Sequence, residues 1–204
     1  ALDDHIAATR HFEFFWVPEQ DCCAMKALHP APLPPAPQLP VPQGRLARYV
    51  QPSLTDRAYR IFPSERNLKF NETEFALPAA NGPSCLHEIR HLMQTRYRDV
   101  AWPIEYRTLA ADAIPLSPAY QRETVTISVH QAADLPYQPF FADVEAIFRN
   151  HQGRPHWGKI HTHRARELAT LYPEWAAFQA VRAQLDPEER MLNEHLTQIL
   201  LPAK

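Results

Sequence analysis

Residues Pro30 to Pro42 read PAPLPPAPQLPVP, seven prolines in thirteen positions. Each proline removes a backbone donor and fixes φ, so the stretch can be neither a helix interior nor a central strand. It is expected to be an extended linker or loop within the chain. Its overlapping PxxP registers suit aromatic-grooved partners, but a stiff spacer is the simpler reading. The 204 residues suffice for one substantial core, so residues 1–204 are read as one domain.

The composition permits that core. Hydrophobic residues make up 45% and charged residues 22%, which sets the chain apart from the apolar-poor, charge-rich sequences that stay disordered. With 21 Lys and Arg against 23 Asp and Glu, and no basic stretch, nucleic acid is not an expected partner. Apolar runs such as Phe14 to Val17 and Ile199 to Pro202 are far short of a membrane span, and residues Ala1 to Arg10 do not read as a secretory leader. Cys22 and Cys23 are adjacent, a poor geometry for pairing, and Cys85 stands alone, which suits a reducing compartment. A cytoplasmic location without indicated membrane association is the expectation.

The aromatic run His11 to Val17 predicts a strand, as do Leu68 to Leu77, Val100 to Ala110 and Glu123 to His130. In the last of these, Val125, Ile127 and Val129 alternate with Thr126, Ser128 and His130, one apolar face against one polar face. Helical spacing predicts Ser84 to Tyr97, with Ser84 as its cap, and Gln138 to Asn150. Two more helices close the chain, one opened by Pro173 and presenting Trp175, Phe178, Val181 and Leu185, the other presenting Leu192, Leu196, Ile199 and Leu200. The spacing argues against tight pairing of sequential strands. The pattern as a whole predicts an α+β fold, mainly antiparallel sheet with helices packed on one face.

Three features could carry chemistry. Glu105 and Arg107 are two apart on a strand and leave the same face, which is equally the pattern of a surface ion pair. Thr126, Ser128 and His130 form a polar row; if their strand neighbours that of Glu105, the two rows would line one pocket suited to a polyhydroxylated ligand. The stretch Gly153 to His163, GRPHWGKIHTH, gathers Trp157, Lys159 and the histidines His156, His161 and His163. These histidines lack a carboxylate or thiolate at a familiar zinc-ligand spacing, so no metal site is expected. With four glycines in the chain there is no dinucleotide-binding G-x-G-x-x-G and no phosphate-binding P-loop, so any cofactor would have to be held elsewhere.

The stretch Arg154 to Leu196, RPHWGKIHTHRARELATLYPEWAAFQAVRAQLDPEERMLNEHL, resembles the C-terminal signature of the D-arabinono-1,4-lactone and L-gulono-1,4-lactone oxidases. EYRTLAADAIPLSPAYQRETVTISVHQ, from Glu105 to Gln131, is similar to the pocket strands of that family, and FNETEFALP and HFEFFWVP to earlier strands of its cap domain. The resemblance implies a flavoprotein in which an N-terminal FAD-binding domain, absent here, precedes this substrate-binding part. It implies that Glu105 and Arg107 face substrate and flavin, that Ser128 and His130 lie beside them, and that Lys159 approaches the flavin ring. On this resemblance Glu105, Arg107, His130 and Lys159 are the expected catalytic residues and Arg107 and Lys159 the contacts to FAD. Ser128, His156 and His161 are expected to bind substrate. The implied partners are an FAD-binding domain or subunit and a sugar lactone or alditol. Ser128 and His130 stand where alditol-oxidising relatives carry histidine and threonine, which leans towards lactones. Met191 replaces a common phenylalanine, and the proline-rich segment replaces a longer helical one. The alternative expectation is a non-catalytic remnant that binds partners through the proline-rich segment.

Overall fold

A computed structural model of the chain describes residues 2–31, 54–63 and 67–202. The proline-rich linker expected at 30–42 lies, from residue 32 onward, outside the described residues. The architecture is α+β, built on one six-stranded antiparallel sheet. Its strands are β1 (His11–Val17), β2 (Cys22–Leu28), β3 (Phe70–Pro78), β4 (Ile104–Leu109), β5 (Thr124–Ala132) and β6 (Arg154–Pro155), in the spatial order β2-β1-β4-β5-β3-β6. The long strands β3 and β5 pair along their whole length, from Phe70 opposite Ala132 to Pro78 opposite Thr124.

Alternation within the strands divides the sheet into two faces. Phe12, Phe14 and Trp16 of β1, Ile104 and Tyr106 of β4, Val125, Ile127 and Val129 of β5, and Phe75 and Leu77 of β3 are buried in one cluster. Three helices contribute to it: α1 (Leu2–Ala8), α3 (Gly82–Thr95) and α4 (Gln138–Asn150). From α3 come Cys85, Ile89 and Met93, and from α4 Phe140, Phe141, Val144 and Phe148, the spacing of a helix with one apolar stripe. At roughly 1.5–3 kcal/mol for each large side chain removed from water, this layer is the main source of the sheet's stability. The opposite face is thereby left polar.

A second cluster lies among α5 (Ala165–Leu171), α6 (Trp175–Leu185) and α7 (Glu194–Leu200), where Leu168, Tyr172, Ile199 and Leu200 are buried. Trp157 joins it, its ring 5.0 Å from that of Tyr172 and its indole N–H donating to the Leu116 carbonyl. A single-turn helix, α2 (Ala58–Ile61), lies near the start of the described body.

Three expectations need correction. Sequential strands do pair tightly, since β1 and β2 form a hairpin turned by 18–21, with Asp21 at φ 47°. That turn is held by side chains: Asp21 accepts from Trp16 Nε1 at 2.9 Å and from Arg90 Nε of α3 at 2.7 Å. The β2 sequence CCAMKAL lacks clean alternation because it is an edge strand with Met25 52% exposed, so periodicity does not reveal it. Ser84 does not cap α3; the helix starts earlier, at Gly82 and Pro83, and the Ser84 hydroxyl donates to the Asn81 carbonyl instead. Proline supplies a preset φ for the first turn and needs no donor there. Finally, Val181 and Leu185 of α6 are exposed, and only Trp175 and Phe178 of the expected apolar set pack on the second cluster.

Candidate functional site

The polar face is laid out by register. Glu105 of β4 lies opposite Ser128 of β5, and Ser128 lies opposite Glu74 of β3, so one row crosses three strands. The next row sets His130 opposite Glu72, and the row on the other side sets Glu13 opposite Arg107 and Arg107 opposite Thr126. Because side chains two apart share a face, these short rows place six ionisable groups and two hydroxyls on one face of the sheet.

Lys159 reaches the same place from a loop. After β6 the chain continues along the edge of β3, with His156 N–H donating to the Glu74 carbonyl at 2.9 Å and Ile160 N–H to the Glu72 carbonyl at 3.0 Å. These two bonds hold the loop so that the Lys159 ammonium lies 2.5 Å from Glu72 Oε1 and in contact with Glu74 Oε2. Arg107 Nη2 donates to both oxygens of Glu74, at 2.9 and 3.0 Å, and Ser128 Oγ donates to Glu74 Oε2 at 2.7 Å. Glu74, 4% exposed, is therefore the common anchor of Arg107, Lys159 and Ser128. His130 Nδ1 lies 3.0 Å from the Pro103 carbonyl, which can only accept, so that nitrogen carries a proton; Nε2 lies 3.2 Å from Glu72 Oε1.

The carboxyls are tuned apart. Burial works to raise Glu72, but His130 and Lys159 outweigh it and hold the group down to about 2. Burial likewise opposes ionisation of Glu74, and Arg107, Lys159 and Ser128 override it, so its pKa also falls. Glu105 moves the other way. Its burial raises the pKa, the charges of Glu13 and Glu74 add to that, and the pull of Arg107 does not compensate. Its nearest cation, Arg107 Nε, is 3.8 Å away, too far for a hydrogen bond. Carboxyls pushed in opposite directions at one site are the pattern expected where one holds charge and another moves a proton.

Beside this cluster opens a cleft of about 730 Å³ whose walls include Glu105, Arg107, His130, Trp102 and Phe15, within the range of small-molecule sites. One wall is aromatic, the Phe70 ring lying 5.1 Å from Trp102 and 5.2 Å from His130. At the rim Lys26 of β2 pairs with Glu13 of β1 at 2.5 Å.

Of the residues anticipated from sequence, Glu105, Arg107, Ser128, His130 and Lys159 are brought together. His156 and His161 lie apart from them. His156 is exposed and its Nδ1 accepts from Gly158 N–H. The ring of His161 sits 6.0 Å from each of His163 and His195, with neither nitrogen hydrogen-bonded, and burial lowers its pKa to about 4. His163 turns away towards Glu145, 3.1 Å from its Nδ1, so the three histidines of this stretch do not converge on one point. Among the described residues, Glu72, Glu105 and His130 do bring metal-ligand atoms within 4.8 Å of one another, but the Lys159 ammonium already lies against Glu72. Sequence reading missed Glu72 and Glu74. The signal was there, two glutamates at strand period alternating with Thr73 and Phe75, but nothing local shows that this pair lies beneath Arg107 and Lys159.

A six-stranded antiparallel sheet with one face packed on helices and the other bearing a charged cleft defines an α+β domain with one candidate site on its polar face. Residues 37–199 match the family described as D-arabinono-1,4-lactone oxidase, and the chain belongs to that family of oxidoreductases. It is 34% identical to an L-gulono-1,4-lactone dehydrogenase of Mycobacterium tuberculosis, an alignment covering 98% of this chain and 54% of the relative. An L-gulonolactone oxidase of Bos taurus is 29% identical over 70% of the chain and 33% of the relative. An alditol oxidase of a Streptomyces species is 31% identical over 63% of the chain and 31% of the relative. The chain thus spans about half the length of the mycobacterial relative and about a third of the other two. No helix among the described residues is long and apolar enough to cross a membrane.

Proposed function

We propose that the chain forms the substrate wall of an FAD-dependent aldono-1,4-lactone oxidoreductase and that the flavin is held mainly by residues outside this chain, in a further domain or a partner subunit. The observation that carries the reading is Glu105: a carboxyl 5% exposed, accepting no hydrogen bond from the described residues and lining the cleft next to Arg107. A buried acceptor with no donor suits a ligand hydroxyl.

The donor set fits a flavin. The Arg107 side chain is 38% exposed and that of Lys159 20%, so each retains donors beyond those bound by Glu74 and Glu72. Fixed cations of this kind hold a ring that gains negative charge, at no cost of reorganisation during the reaction. When bound, FAD supplies the hydride acceptor.

This chain's own residues would do the rest. Glu105 takes the proton of the hydroxyl next to the lactone carbonyl, its raised pKa bringing it closer to the neutral range in which a base works best. His130, fixed by the Pro103 carbonyl and Glu72, orients that hydroxyl. Ser128 is committed to Glu74 and keeps the carboxylate in place beneath Arg107. Oxidation at that carbon yields a 2-keto-lactone, which tautomerises to an ene-diol. The names of the mycobacterial and bovine relatives, with Ser128 and His130 in the polar row, support a lactone over an alditol.

The test combines the purified chain with an FAD-binding domain or subunit from the same genome and follows flavin absorbance after L-gulono- or D-arabinono-1,4-lactone is added. Bleaching that requires both components and disappears in Glu105→Gln and Lys159→Ala is the expected result. Absence of bleaching from an assembled, flavin-loaded pair would sink the reading and favour a non-catalytic role.

A further inference from the structure

Arg107 lines the cleft and Lys159 meets the same Glu74 carboxylate beside it, and two such cations would ordinarily favour a carboxylate ligand. Here both are already engaged from below. Glu74 takes Arg107 through both of its oxygens, and Lys159 is shared between Glu72 and Glu74. Glu105 adds a third carboxyl at the same level, while the Lys26–Glu13 pair at the rim cancels itself. Apart from His130 and the Lys26–Glu13 pair, the site among the described residues sets three carboxyls against two cations, each cation already paired to a carboxylate.

This arrangement matters for an aldono-lactone because such a ring opens in water to the aldonate, with the same carbons and stereocentres. The two differ in ring closure, and their charge differs by one unit. A neutral lactone can donate a hydroxyl to Glu105 and accept from the remaining donors of Arg107. An aldonate must bring its charge close to Glu105 and Glu74 in a partly desolvated cleft, where like charges repel strongly.

We propose that Glu72 and Glu74 act as a charge filter, neutralising Arg107 and Lys159 so that the cleft admits the uncharged lactone and rejects its ring-opened aldonate. The proposal rests on the lactone reading above and names the residues that set its specificity. Glu72 and Glu74 act through the two cations and need not touch substrate.

The test is calorimetric titration of the full chain with L-gulono-1,4-lactone and separately with sodium L-gulonate, at about pH 6, where the free acid is ionised and Glu72 and Glu74, both held down by their cations, are charged. The unmodified chain is expected to bind gulonate at least about tenfold more weakly than the lactone, and Glu74→Gln to bring gulonate up by about tenfold while changing lactone affinity much less. That gain should fade in about 0.5 M salt, and Glu74→Asp, which keeps the charge, should preserve the rejection. Equal binding of both ligands by the unmodified chain, or a parallel change for both in Glu74→Gln, overturns the filter. Should Glu74→Gln fail to melt cooperatively, Glu72→Gln carries the same comparison at a more exposed position. If the unmodified chain binds neither ligand, gulonate binding gained in a Gln variant upholds the filter while counting against the lactone reading; no gain in either variant overturns the filter itself.

Discussion

Glu74 and Ser128 face each other across the β3–β5 pair, and the Ser128 hydroxyl donates to the same Glu74 oxygen that the Lys159 ammonium contacts. One buried carboxylate thus ties together two strands and a loop, and through Arg107 a third strand. The arrangement makes the polar face a stability element as well as a site.

Arg107 is accordingly expected to serve both purposes. Arg107→Ala removes two donors from Glu74 and should cost about 1–2 kcal/mol, less than a fully buried pair because the Arg107 side chain is 38% exposed. Arg107→Lys should recover most of that stability but not the paired contact to Glu74, so flavin bleaching in the assembled enzyme should stay well below that of the unmodified protein. Urea unfolding alongside stopped-flow absorbance checks both; full activity in the lysine variant would contradict the geometry.

Two groups away from the cleft add to the acid limb of stability in separate windows. His161 is lowered to about 4 by burial and by neighbouring His163, so the unfolded chain takes up its proton first and stability falls as pH drops from about 6.5 to about 4. Glu145 is held down to about 2, because His163, Thr162 and Arg149 outweigh the burial that would raise it. Its contribution, on the order of 2–3 kcal/mol, is complete above its unfolded value near 4.5 and is lost as pH falls towards 2. Melting temperatures across this range should show His161→Gln flattening the upper window and Glu145→Gln the lower one. An unchanged profile in either variant refutes its assignment.

Gly82 begins α3 where the helix meets the sheet. A Cβ there would overlap the Tyr106 hydroxyl and Val125 Cγ2, and Tyr106 is only 1% exposed. Since neither neighbour has room to retreat, Gly82→Ala should destabilise by roughly 1–3 kcal/mol despite adding a residue that favours helices. A shift of the unfolding midpoint in guanidinium to lower concentration, at constant slope, is the expected reading.

Arg154 joins the sheet to the second cluster. Its guanidinium donates to the carbonyls of Leu171, Pro118 and Tyr120 and lies 5.3 Å from the Tyr172 ring, at 6% exposure. Arg154→Met keeps the volume but leaves three carbonyls without their donor, and should cost about 2–4 kcal/mol. Loss of order should be greatest around Trp157 and Trp175, so hydrogen exchange in 165–200 should speed up more than in β3 or β5.

What the sequence by itself determined is what strand and helix periods determine locally. The two-residue period put Glu105 beside Arg107 and Ser128 beside His130, set each pair apart from the apolar row behind it, and predicted an antiparallel α+β fold that the structure bears out. Helical spacing likewise placed α4 at its observed bounds. Only the tertiary structure decided which strands are neighbours, because register between β4, β5 and β3 depends on contacts between residues far apart in the chain. Glu74 meets Arg107 across 33 positions and Lys159 across 85. Charge neutralisation at the cleft is therefore a property of the assembled sheet: two glutamates that look like an ordinary polar face in FNETEFALP become the anchor of the site once β3 lies beside β5.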